Sequence, residues 1–174
     1  MKLISSLIAF LGIVLFSFKI IELKKFYVGQ GVIFDASVKY PFTELDYYKP
    51  ITPRISEIKR AEKILSEKYY EYRTNILDSF YVDKSIVKTK LKEPKNVVKK
   101  FYKYNRQYIG YVNNSNDTII TIGLLNFANK RKANKYFPDW EKTVQFGFHG
   151  FYENNQEWIS INITKKDFIY KIGK

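Results

Sequence analysis

Cysteine is absent from the 174 residues. This excludes disulfides, thiolate metal sites, thiol nucleophiles and a lipid-modified N-terminal cysteine. Histidine occurs once, at His149. A metal centre built on several imidazoles is therefore excluded, and a Ser-His-Asp triad would have to converge on this one residue. Beside Gly150, His149 reads as a surface or turn residue. There is no Gly-rich phosphate loop, no HExxH and no GxSxG. The motifs imply no cofactor and no metal. Internal repeats and low-complexity tracts are absent as well. Acids are scarce, with 17 Asp+Glu against 30 Lys+Arg, a net charge of +13. Glu44 with Asp46, and Glu153 with Glu157, are pairs that could flank a substrate as a hydrolase dyad. Spacing alone does not distinguish them from chance neighbours. The positive excess points to an anionic partner, whether nucleic acid, an anionic membrane or an acidic polysaccharide. It also fits a compositional bias, because Lys, Ile, Asn, Tyr and Phe are abundant together.

Aromatic residues are plentiful. The 15 Tyr and 14 Phe suffice for the core of a single domain. Residues 1–23 read as a signal peptide or an N-terminal membrane anchor. Lys2 supplies the positive start and Leu7 to Phe16 the apolar run. Cleavage after Ser17 and an uncleaved span over Leu3 to Leu23 both remain open. Residues 24–51 read as an extended linker with one candidate strand at Val32 to Val38, punctuated by Gly29, Gly31, Pro41 and Pro50. Residues 52–174 read as one helix-plus-sheet domain.

Thr52 is the expected N-cap of a helix running to Ile76, with Pro53 in its first turn. Ile55, Ile58, Ala61, Leu65, Tyr69, Tyr72 and Ile76 recur at helical steps and predict a core-facing stripe. A basic connection follows. From Lys84 to Arg106 nine cations face the single acid Glu93, a net +8. Val97 to Tyr102 predicts either a short helical turn or the start of the next strand.

Phe101 to Phe127 reads as a long β-hairpin. Tyr104, Arg106, Tyr108 and Gly110 fall on one face, and Asn105, Gln107, Ile109 and Tyr111 on the other. Asn113 to Asp117 has turn chemistry. Both faces carry apolar bulk; one is expected to meet the helix. Residues 128–137 read as a polar basic loop. Asp139 to Glu153 is expected as a third strand and Trp158 to Ile169 as a fourth. Arg106 and Gln107 between tyrosines admit two readings. The guanidinium presents itself to an anion, or it stacks on aromatic rings and bonds a backbone carbonyl or an acid inside the fold.

One helix followed by four antiparallel strands is a cystatin-like order. Tyr104, Arg106, Gln107, Tyr108 and Gly110, then Asn126, the Trp140 and Lys142 pair, and the closing Ile161 to Ile163, resemble a group of small exported Bacteroidota proteins. Phe148, His149 and Gly150 stand where that group tends to carry an Asp-Gly-Gly turn. The resemblance covers about Thr52 to the C-terminus. It implies an α+β fold, one long helix packed on a four-stranded antiparallel sheet, and an envelope location. It implies no activity.

These readings predict a noncatalytic cell-envelope or secreted binding or structural module, periplasmic or membrane-anchored. Its partner would be a protein or an envelope polymer, with the membrane reached through the N-terminal segment. A basic nucleic-acid or anionic-polymer binding protein is the alternative, and a carboxylate-dependent hydrolase a third. The candidate partner surface comprises Tyr104, Arg106, Gln107 and Tyr108 with Lys130, Arg131 and Lys132.

Overall fold

The computed structural model describes residues 18–38, 46–79 and 94–169, with backbone alone over 74–79 and 94–96. The apolar run at Leu7 to Phe16 lies outside them. In chain order the strands are β1 (Phe18–Ile21), β2 (Gly31–Phe34), β3 (Tyr47–Ile51), β4 (Tyr104–Asn113), β5 (Thr118–Asn126), β6 (Gln156–Asn162) and β7 (Asp167–Phe168). The helices are α1 (Ile55–Ser79), α2 (Pro94–Phe101), α3 (Lys130–Tyr136) and α4 (Phe151–Asn155).

The β4–β5 hairpin is in place and forms the middle of the sheet. Tyr108 faces Ile122 and Gly110 faces Ile120 across an antiparallel register. The Asn113 to Asp117 turn closes with Asn116 at φ 62°, a left-handed conformation that asparagine tolerates.

The expected four-stranded antiparallel sheet is overturned. The sheet has seven strands and is mixed, ordered β1-β2-β4-β5-β6-β7, with β3 also on β4. β2 runs parallel to β4, Gly31 opposite Arg106. β3 runs antiparallel to the far half of β4, Ile51 opposite Gly110. The three added strands lie in residues 18–51, the stretch read as leader end and linker. Gly31 and Pro50 shorten the signals of β2 and β3, and β1 continues the apolar leader run. The parallel pairing joins residues some seventy positions apart, which periodicity cannot register. All four residues of β2 are buried, as expected for a parallel strand covered on both faces. Among the described residues no helix is long and apolar enough to cross a membrane. Phe18–Ile21 is outer strand, and Ile21 and Leu23 are core residues.

Further corrections lie in the C-terminal half. Asp139 to Glu153 is not a strand. Asp139 adopts φ 48° and its carbonyl accepts from Lys142 and Thr143 N–H, winding the segment into turns. α4 then begins at Phe151, after Gly150 at φ 63°. The expected fourth strand is split into β6 and β7 by a turn through Lys166 at φ 59°. The expected basic loop contains α3, capped by Asn129, whose side chain accepts from Lys132 N–H. The short helical alternative for 97–102 is the one taken, as α2.

α1 begins at Ile55 rather than near Thr52. The Glu57 carboxylate reaches back to the Arg54 backbone N–H at 2.8 Å, the reciprocal half of a capping box. Thr52 Oγ1 instead accepts from Ala36 N–H at 3.0 Å. Ile58, Ala61, Leu65, Tyr69 and Tyr72 of the stripe are buried, while Ile55 is partly exposed; the Ile76 side chain lies outside the described ones. The stripe packs on one sheet face through Tyr108, Ile122 and Ile161. The other face is also covered. There Val32, Phe34, Ile109 and Leu125 pack under Ala133, Phe137 and Trp140. Trp158 lies flat over Gly123, where a Cβ would come within 2.6 Å of its ring. That position requires glycine for close approach.

The hairpin tip is tied to the end of β6 and the turn after it by polar side chains. Asp117 accepts from Asn162 Nδ2 at 2.9 Å and pairs with Lys165 Nζ at 2.9 Å. Hydrogen bonds from Lys165 and Asn162 hold its carboxyl below the ordinary carboxylate range. A lowered folded-state pKa stabilises the fold above the unfolded value near about 4, and the contribution fades as pH falls through the folded value. The urea midpoint of Asp117→Asn is therefore expected below wild type at neutral pH, with the gap closing on acidification. A gap independent of pH would refute this assignment.

Candidate functional site

The four β4 residues of the candidate surface are mostly inside the protein. Alternation along β4 sends Arg106 and Tyr108 toward α1, and Gln107 toward the opposite face. Arg106 is 1% exposed and Gln107 and Tyr108 are fully buried, while Tyr104 is half-buried.

The Arg106 guanidinium is bonded within the fold through Nε and NH1. Nε donates to Glu62 Oε1 at 3.0 Å, and NH1 donates to the carbonyls of Phe101 and Tyr104 at 3.2 and 2.8 Å. Its carbon lies 4.5 Å from the Tyr27 ring centre. Tyr108 OH donates to the same Glu62 oxygen at 2.9 Å and lies 3.0 Å from Tyr27 OH. Burial pushes both tyrosine hydroxyls well above the ordinary phenol range, and the Glu62 carboxylate adds to the shift. This closed set ties α1, α2, β4 and the Tyr27 loop together. At 1% exposure Arg106 lies inside the fold and not on a partner surface.

Gln107 performs the equivalent task on the other face. Its amide nitrogen donates to the carbonyls of Trp140 and Thr143, and its oxygen accepts from Gln145 N–H at 2.9 Å. Gln145 in turn accepts at its carbonyl from Gln156 Nε2 and Trp158 Nε1. A single buried amide thus fixes the 137–145 segment over the sheet.

Lys130, Arg131 and Lys132 are exposed on α3, on the Gln107 side of the sheet. They do not meet Arg106. Lys130 does share a cleft with another lysine. A cleft of about 690 Å³ opens between the Val28–Gln30 loop, the start of β4 and α3. Lys103 and Lys130 stand on different elements of its wall, and neither has an ion pair among the described residues. Gln30, Asn105 and Asn134 contribute amides, and Phe127 and Trp140 contribute aromatic surface. Asn105 is positioned by accepting from Gln30 N–H at 3.2 Å. The Trp140 ring is braced by Phe127, centre to centre 5.4 Å.

Lys103 is one of the nine cations of the basic run and Lys130 belongs to the basic loop, but their convergence is not legible in the sequence. Glu62 and Tyr27 are missed altogether. Glu62 follows Ile58 by four residues, so it stands on the face of the apolar stripe, and that was the available signal. Nothing local marks Tyr27.

The acids have internal duties. Glu157 accepts from Tyr69 OH at 2.8 Å on the α1 side, whereas Glu153 sits on α4 beside exposed His149, 3.7 Å away. The Glu153 and Glu157 pair therefore does not converge. Asp46 holds Asn113 Nδ2 at 2.7 Å, and its expected companion Glu44 lies outside the described residues. Among the described residues no three of His, Asp and Glu gather to hold a metal ion. Comparison with protein-family models, with curated proteins and with solved structures finds no match for the chain.

Proposed function

We propose that the protein is a noncatalytic binding module of the cell envelope or secreted space, and that its ligand is an acidic polysaccharide held in the Lys103–Lys130 cleft. The observation that carries this reading is the composition of that cleft. Two lysines without ion pairs supply attraction for carboxylates at separate points. Neutral amides both donate and accept, which suits sugar hydroxyls. Half-buried Phe127 offers apolar surface to a ring face, with Trp140 buried behind it. The apolar run at Leu7 to Phe16 supports an envelope location, where such polymers occur.

Purified protein is expected to bind polygalacturonate and not dextran, with affinity falling as salt rises. Lys103→Glu with Lys130→Glu should weaken binding at least about tenfold, the scale of two lost charge contacts. Both substitutions are on the surface, so the denaturation midpoint should not move. Equal binding of dextran, or no effect of the double substitution, would defeat the reading. Tighter binding of single-stranded DNA with a steep salt slope would favour the nucleic-acid alternative instead.

A further inference from the structure

A second basic surface lies on the α1 side, away from the cleft. The loop after β1 and the polar face of α1 enclose a groove of about 760 Å³. Lys24, Lys25, Lys59, Arg60 and Lys63 line it, against the acids Glu22 and Glu67. Leu23 and Phe26 supply its apolar part. The cations come from two separate parts of the chain, so their clustering is a product of folding and not of one charged run.

Most of this charge is available. The Lys24–Glu22 and Lys63–Glu67 pairs are 3.6 and 3.8 Å apart and largely exposed. Exposed pairs of this kind are weak and exchange readily for other anions. Arg60 donates to the Ile163 carbonyl at 2.8 Å, which fixes the arginine while leaving its charge uncancelled. Lys25 and Lys59 have no ion pair among the described residues.

The position of the groove in the chain gives the charge a direction. Only Ser17 separates the apolar run ending at Phe16 from β1. β1 is an outer strand, and its four residues span about 13 Å. Phe18 is half-buried, and Lys19 and Ile20 are exposed along the strand. The groove begins immediately where the strand ends. Basic residues just beyond an apolar segment are attracted to anionic lipid headgroups, and the attraction decays within a Debye length.

We propose that the groove formed by Lys24, Lys25, Lys59, Arg60 and Lys63 seats the domain on an anionic lipid surface, with β1 lying along the bilayer. The phosphates of the lipid headgroups replace Glu22 and Glu67 as partners of the lysines. Half-buried Phe26 approaches the headgroup boundary, with Leu23 buried behind it. This places α1 toward the membrane. The Lys103–Lys130 cleft, which lies among the elements of the opposite sheet face, is left open to the surrounding space. The proposal does not depend on what that cleft binds.

The full chain, mixed with vesicles of phosphatidylcholine alone or with added phosphatidylglycerol, provides the test. Lysine acetylation is followed residue by residue by mass spectrometry, and flotation reports association. On phosphatidylglycerol vesicles Lys24, Lys25, Lys59 and Lys63 are expected to react at least about threefold more slowly than on phosphatidylcholine. High salt should restore their reactivity. Lys130 and Lys132 should react equally on both. Lys25→Glu with Lys59→Glu should abolish the protection of Lys24 and Lys63. Flotation with anionic vesicles alone, with this protection, would support the groove while rejecting insertion of the apolar run. Flotation with both vesicle types and equal reactivity of the groove lysines would overturn the proposal. So would flotation with neither, or protection spread evenly over Lys130 and Lys132.

Discussion

Arg106→Met is expected to destabilise the fold by about 3–5 kcal/mol, the cost of breaking a buried ion pair from one side. The cause is what remains. Glu62 would stay buried with Tyr108 OH as its donor, and the carbonyls of Phe101 and Tyr104 would lose theirs. Each orphaned buried acceptor costs about 1–3 kcal/mol. Replacing both partners, as Arg106→Met with Glu62→Leu, should cost less than the sum of the two single substitutions, because no uncompensated charge is left. Arg106→Lys should sit between wild type and Arg106→Met. An ammonium keeps the charge but cannot present the planar fork or stack flat on Tyr27. Urea denaturation of wild type and the four variants measures all of this. Additive single effects in the double variant would show that Arg106 and Glu62 do not act as a pair.

Leu65→Ala and Ile58→Ala are each expected to cost about 2–5 kcal/mol. Both side chains are essentially fully buried and belong to the cluster between α1 and the sheet. The removed methyl groups lose their transfer energy, and the sheet residues beneath cannot collapse into the space. Tyr108 is held by its bonds to Glu62 and Tyr27, so it cannot swing in to fill a void at α1. Losses below about 0.5 kcal/mol at both sites would mean that the stripe is not the core contact. Ile55→Ala serves as a control, since Ile55 is partly exposed and should change stability little.

Arg106 shows how far the sequence reaches. Its place on a strand between tyrosines, with Gln107 on the other face, follows from the period of two and the residue types alone. The expectation that the guanidinium stacks on a ring and bonds carbonyls or an acid also follows from its chemistry. Which ring and which acid do not. Tyr27 is brought over Arg106 by the loop before β2, and Glu62 by α1, both contacts between distant parts of the chain. The same division runs through the fold. The hairpin, its turn and the α1 stripe are local periodic patterns, so they are legible. The seven-stranded mixed sheet is not, because β1, β2 and β3 are short and owe their strand character to their partners: β2 and β3 cover the edge of β4, and β1 pairs with β2. The 139–153 segment shows the reverse error. Its alternation resembles a strand, but Asp139, Gly150 and the bonds of Gln107 and Gln145 bend it into a cover for the second sheet face. The sequence by itself determined the central hairpin, the apolar face of α1 and the excess of positive charge. Only the tertiary structure decided that Arg106 lies inside, that Lys103 and Lys130 line one cleft, and that five cations from two segments share one groove. Local periodicity records which side of an element is apolar; it carries no information about which distant side chain will stand opposite.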